Sequence, residues 1–176
     1  MTEPAAIEPD TKDWTFVLRS GCLECGFDPN RVAPADVADL LRGSASRWAS
    51  ALARADATAR PAATVWSPTE YACHVRDVCR LMDQRLVLML TEDDPLFPSW
   101  DVDGTAVNDR YWAQDPAAVA EQYAAAALAT ADHFAGVQPD QWRRPGRRGD
   151  GSVFTVATLA LYLWHDIEHH LFDVRA

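Results

Sequence analysis

Lysine is almost missing from this sequence: Lys12 is the only one among 16 basic residues, and the rest are arginines. Positive charge is scarce as a whole, because 26 acidic residues leave a net charge of −10. That balance argues against general affinity for nucleic-acid phosphates or anionic membranes. No apolar run approaches the length of a membrane span, and MTEPAAIEPDTKD has no apolar centre to act as a signal peptide, so a cytoplasmic protein is expected. Strand-like alternation of useful length, internal repeats and low-complexity tails are absent too. Cysteine is limited to four, Cys22, Cys25, Cys73 and Cys79, and in a reducing compartment a disulfide framework is not expected.

What remains is an ordinary globular composition, 48% apolar and 24% charged over 176 residues, which implies one domain spanning 1–176. Residues 1–30 read as an irregular segment carrying a CxxC. Cys22 and Cys25 make half of a zinc-ribbon pattern, but Cys73 and Cys79 stand six apart on an expected helix. At about 100° per residue they point to different sides, so no four-cysteine zinc site is expected. The CxxC is read as structural, or as having no metal role.

Four long helices are legible. The first runs from about Pro34 to Ala59. The second opens at Ser67-Pro68-Thr69-Glu70, where a Ser N-cap, Pro at the first helical position and Glu at the third form a capping box; it continues to about Thr91. A loop, DDPLFPSWDVDG, and a short piece around Thr105 to Trp112 follow. The third helix starts at Asp115-Pro116 and ends near Ala135. The stretch VQPDQWRRPGRRGDGS reads as an exposed loop. The last helix begins near Ser152 or Thr155 and runs to about Val174. Its residues 156–164, VATLALYLW, are apolar on nearly every side, which implies a central position, a subunit interface, or both. A homodimer is the expected assembly. The fold class is all-α, a four-helix bundle with long inter-helix loops.

The chemistry rests on histidine. His165 and His169, in WHDIEHHLFDV, stand one helical turn apart on one face, a spacing that can grip one metal ion. Seven residues follow His169, so the third ligand is expected upstream, and His74 in WSPTEYACHVRDV is the best candidate. Three protein ligands with an open position is the catalytic style of zinc site. Glu70, Asp77, Asp166, Glu168 and Asp173 are available to orient the imidazoles. His170 points about 100° away from His169 and is the weaker ligand; His133, beside Asp132 near a helix end, reads as a dipole partner. His165 to His169 also matches the inverted zinc-peptidase motif HxxEH, but the downstream ligand and the sheet edge of such enzymes have no counterpart here.

His74 after Trp-Ser and Glu, paired with the late HDIEHH, resembles the DinB-like metal-binding four-helix-bundle superfamily, from about Trp14 to Val174. That superfamily includes mycothiol-dependent maleylpyruvate isomerase and related thiol S-transferases. CLECGFDP and DDPLFP…DRYWAQDP look like one bacterial branch of it. The resemblance implies that His74, His165 and His169 bind one divalent transition metal, with zinc favoured and nickel compatible. It also implies a small-molecule substrate and a low-molecular-weight thiol as co-substrate. In the isomerase branch the first residue of the late pair is Glu, where this sequence has His165, so thiol S-transfer fits better than that isomerisation. The competing readings are metal-dependent hydrolysis and a non-catalytic metal-binding stress-response module. DinB names damage-inducible expression and carries no implication of DNA binding. Arg143, Arg144, Arg147 and Arg148 gather positive charge that can dock a carboxylate, although a solvated loop is the plainer reading. Phe97, Trp100, Tyr111 and Trp112 read as a lid or as packing under a loop.

Overall fold

The computed structural model describes residues 4–7 and 12–176; of the segment expected to be irregular, residues 1–3 and 8–11 lie outside the described residues. Among the described residues six α-helices follow in order: α1 (Val17–Ser20), α2 (Val37–Leu52), α3 (Pro68–Thr91), α4 (Val102–Asn108), α5 (Pro116–Ala135) and α6 (Val156–Asp173). The long ones, α2, α3, α5 and α6, form the four-helix bundle. α5 packs against α2 and α3, and α6 also packs against α2 and α3, so the chain-consecutive pair α2 and α3 sits largely across a diagonal.

Local chemistry sets most helix ends. Ser67 caps α3 through the Glu70 N–H while Glu70 accepts from the Ser67 backbone, closing the capping box. Asp115 accepts from the Ala118 N–H, with Pro116 opening α5. Thr155 and Thr158 cap α6 reciprocally. The first long helix is shorter than its pattern implied: α2 follows a 3-10 turn at Pro34–Asp36 and ends at Leu52. Alanine richness in α5 lets helices approach closely, with Ala126, Ala127 and Ala131 buried. Tyr123 reaches across to Trp48, ring centroids 5.7 Å apart, and its hydroxyl lies 2.6 Å from Ser44 Oγ.

α6 is the central element. Val156, Leu159 and every residue from Ala160 to His165 are buried within one chain. Burial inside the bundle thus accounts for the apolar run without a second copy. Among the described residues, no helix is long and apolar enough to cross a membrane.

The loop before α6 differs from expectation. It contains a small sheet in which β1 (Leu96–Phe97) runs parallel to β2 (Pro145–Arg148), and β2 pairs antiparallel with β3 (Val153–Thr155). Gly146 is required there, because a Cβ would collide with the side chains of Phe97 and Met89. Strands of two to four residues are too short to show alternation, and one pairing joins segments far apart in sequence. Arg144 stitches this sheet to the bundle by donating to the Met89 and Glu92 carbonyls at the end of α3.

Candidate metal centre

His74 lies two turns into α3, a helix fixed at its start by Glu70. That carboxylate accepts from Ser67 N–H and Oγ, both at 2.8 Å, and pairs with Arg60. Packing of α3 against α6 carries His74 to Asp166 and His170, which stand one turn apart on α6. His74 Nε2 is 3.4 Å from Asp166 Oδ1, and His170 Nε2 is 3.6 Å from the same oxygen. All three residues offer ligand atoms within 4.8 Å of one another. On the outer side, His170 Nδ1 meets Asp173 Oδ2 at 2.8 Å, which leaves Nε2 as the free lone pair. Burial alone would raise the Asp166 carboxyl, but His74 and the other surrounding imidazoles outweigh it and hold it at about 2. His74 Nδ1 is buried with no hydrogen-bond partner, and Asp166 Oδ1 has only the 3.4 and 3.6 Å imidazole contacts, neither with hydrogen-bond geometry. Two imidazoles and a carboxylate converging in this way are a donor set suited to a divalent ion.

A second cluster sits on the neighbouring face of α6. His165 and His169, ring centroids 5.2 Å apart, come together with Cys22 and Cys25. Cys22 Sγ lies 3.6 Å from His169 Nδ1. Trp14 packs over both imidazoles, at 5.5 and 4.9 Å between centroids. Burial lowers both histidines, His165 to about 4, so they are neutral at physiological pH. Desolvation raises the Cys25 thiol to about 11.

Histidines of both clusters line one cavity of about 670 Å³: His74, Asp166 and His170 of the first, and His165 and His169 of the second. Trp14, Trp66, Tyr71 and Trp100 line the histidine end, and Trp100 stacks on His74 with 9° between rings. Arg85 and Arg148 line it as well. Arg85 is 4% exposed, yet its hydrogen-bond contacts are only Met82 Sδ at 3.8 Å and the Pro98 carbonyl at 3.5 Å, and its Nε has no partner. Burial and the nearby Arg148 charge lower the Arg85 guanidinium to about 10, so it stays cationic.

The family model of the DinB superfamily matches residues 38–172. This chain belongs to the DinB superfamily. Among solved structures it is similar to YfiT from Bacillus subtilis, with a TM-score of 0.71 at 17% identity over 80% of this chain and 85% of that one. YfiT is described as a probable metal-dependent hydrolase with an unusual four-helix bundle topology, and at this identity the likeness establishes the fold. No curated protein matches.

In this DinB-superfamily chain the three histidines expected to converge are divided between the clusters. His74 stands with Asp166 and His170, whereas His165 and His169 stand with Cys22 and Cys25. His170, ranked lower from its angular offset, is the imidazole that faces α3, because α6 presents its 166/170 edge to that helix. Asp173, expected beside the 165/169 pair, meets His170 Nδ1 instead, at 2.8 Å. Glu70, Asp77 and Glu168 are engaged elsewhere: Glu70 in the α3 cap, Asp77 with Arg76, Arg80 and Tyr111, and Glu168 with Arg47 at 2.8 Å. His133 pairs with Asp83 at 2.6 Å, outside both clusters. Of the four clustered arginines only Arg148 lines the cavity, and of the four lid aromatics only Trp100 does. Phe97 and Tyr111 are core residues. Arg85 escaped the sequence reading because nothing in a helical period separates a buried arginine from an exposed one.

Proposed function

We propose that this protein is a metal-dependent transferase that joins a carboxylate-bearing, low-molecular-weight thiol to an electrophilic small molecule. The observation that carries the reading is the convergence of His74, Asp166 and His170 on the wall of a cavity that also contains a buried arginine with no carboxylate partner. Those three residues would hold one divalent ion, zinc first and nickel next, since imidazole and carboxylate discriminate weakly between them. A bound ion of this kind lowers the pKa of a coordinated thiol, making thiolate available at neutral pH. A carboxylate as first member of the α6 pair is also what the isomerase branch of the family carries, so thiol-dependent isomerisation belongs to the same reading.

The chain's own residues supply the rest. Asp173 fixes the His170 tautomer and ring orientation. Arg85 and Arg148 take the carboxylate of the thiol, which sets its reach to the histidine end of the cavity. Trp14, Trp66 and Trp100 exclude water around the reacting sulfur. The thiol gives up its proton to solvent water on binding, its sulfur then bonds to an electrophilic carbon, and the displaced group leaves with the bonding pair and is protonated from solvent. Asp166 would be a metal ligand and Asp173 is committed to His170, which favours a nucleophile needing no additional carboxylate base.

Conjugation of a generic electrophile with bacillithiol, glutathione and mycothiol, run beside an ester and amide panel, tests this. Thiol-dependent turnover that the His74→Ala variant lacks is expected. Turnover with water and no thiol would replace the reading by metal-dependent hydrolysis, and no turnover on either panel would replace it by a metal-dependent binding module.

A further inference from the structure

We infer that Cys22, Cys25, His165 and His169 form a second metal site, a closed zinc site of Cys2His2 type that clamps the N-terminal segment onto α6. Its four ligands are distinct from His74, Asp166 and His170 of the open site. The four side chains offer ligand atoms within 4.8 Å of one another. A tetrahedral zinc, with Zn–S about 2.3 Å and Zn–N about 2.0 Å, sets sulfur and nitrogen about 3.5 Å apart. Cys22 Sγ and His169 Nδ1 are separated by 3.6 Å. His165 supplies an independent sign of a missing ligand: it is 3% exposed, and its Nε2 is buried with no hydrogen-bond partner.

The loop that carries the cysteines is shaped for metal. The Cys22 N–H donates to the Phe27 carbonyl at 2.8 Å and the Gly26 N–H to the Cys22 carbonyl at 2.9 Å, folding CLECG into a tight knuckle. Gly21 and Gly26 both adopt positive φ, and a Cβ at Gly21 would meet the Phe27 carbonyl oxygen. On the far side of His169, Nε2 faces the Glu24 carboxylate at 3.7 Å. Four protein ligands with no open position is the structural style of zinc site. Its work is to hold Trp14 over the histidines, so that the N-terminal segment supplies one wall of the cavity.

Cobalt(II) titration of the full chain after chelator treatment tests the inference, because only thiolate ligands give a sulfur-to-cobalt charge-transfer absorption. The expected result is such a band, saturating at one cobalt per chain in a His74→Ala/His170→Ala variant that lacks the open site. The chain as purified should hold metal that a chelator removes, with Cys22 and Cys25 becoming reactive to a disulfide reagent only afterwards. Neither measurement on the unaltered chain depends on a variant folding. A Cys25→Ser variant should lose the band's two-thiolate intensity. Cobalt binding without a charge-transfer band, or two thiols equally reactive before and after chelation, would overturn the site and leave Cys22 as a thiol hydrogen-bonded to His169.

Discussion

The imidazoles of His169 and His170 are neighbours in the chain, 5.6 Å apart at 75° between rings, yet they serve different clusters. His169 meets Cys22, and His170 meets His74 and Asp173. α6 therefore carries two stacked pairs offset by one residue, 165/169 and 166/170. A helix turns about 100° per residue, so the pairs look toward different parts of the molecule.

Asp173→Asn separates orientation from ligation at the open site. The amide can still hydrogen-bond His170 but no longer raises its basicity, so affinity for a divalent ion falls by about 10- to 100-fold. Competition with a chromogenic chelator measures it. Unchanged affinity would remove Asp173 from the site.

Arg85→Met probes the buried cation. The substitution conserves much of the volume and removes a desolvated charge without a carboxylate partner, so thermal stability should hold or rise by a few degrees. Under the proposed function, KM for a carboxylate-bearing thiol rises by about 100-fold, with a smaller change in kcat. A melting scan and steady-state kinetics on one preparation give both readouts. A fall in stability with unaltered KM would make Arg85 a structural residue.

Asp77, one turn past His74 on α3 but paired with Arg76, Arg80 and Tyr111, gives a pH signature of its own. Burial by itself would raise its carboxyl, but hydrogen bonds from Arg76 and from the Tyr111 hydroxyl, at 2.6 Å, outweigh it and hold it below the usual range. The unfolded chain therefore takes up the proton first as pH falls. The stabilisation is complete above about pH 4, the ordinary aspartate value, and is lost as pH drops through the lower folded pKa. Asp77→Asn should cost about 3 kcal/mol at pH 7, and its deficit should shrink below pH 4. Urea denaturation at a series of pH values reads the difference; a deficit independent of pH would contradict it.

Gly146→Ala tests the small sheet. The added methyl meets Phe97 and Met89, both fully buried, so the sheet must shift at a cost of about 2 kcal/mol. Gly149→Ala, beside the side chain of Ser99, should cost less. Equal denaturation midpoints for the two variants would argue against the close packing at Gly146.

The starts of α3, α5 and α6 were legible in the sequence, because an N-cap, a proline at the first helical position and an apolar period act within a few residues. Ser67 and Asp115 cap where the pattern placed them, and of the two starts read for α6, Ser152 or Thr155, the cap is Thr155. The bundle follows from those helices. His74, His165 and His169 were singled out by type and spacing, while His170 was ranked the weaker ligand and Asp166 read only as a group to orient imidazoles. How those residues are divided was decided only by tertiary structure. The rotation of α6 about its own axis, fixed by packing against α2 and α3, assigns 166/170 to His74 and turns 165/169 toward the N-terminal segment. Cys22 finds His169 across 147 residues of chain, a separation over which no local period carries information. The exposure of Arg85 and the pairing of residues 96–97 with 147–148 were likewise outside local reach, since both depend on which surfaces the folded chain brings together.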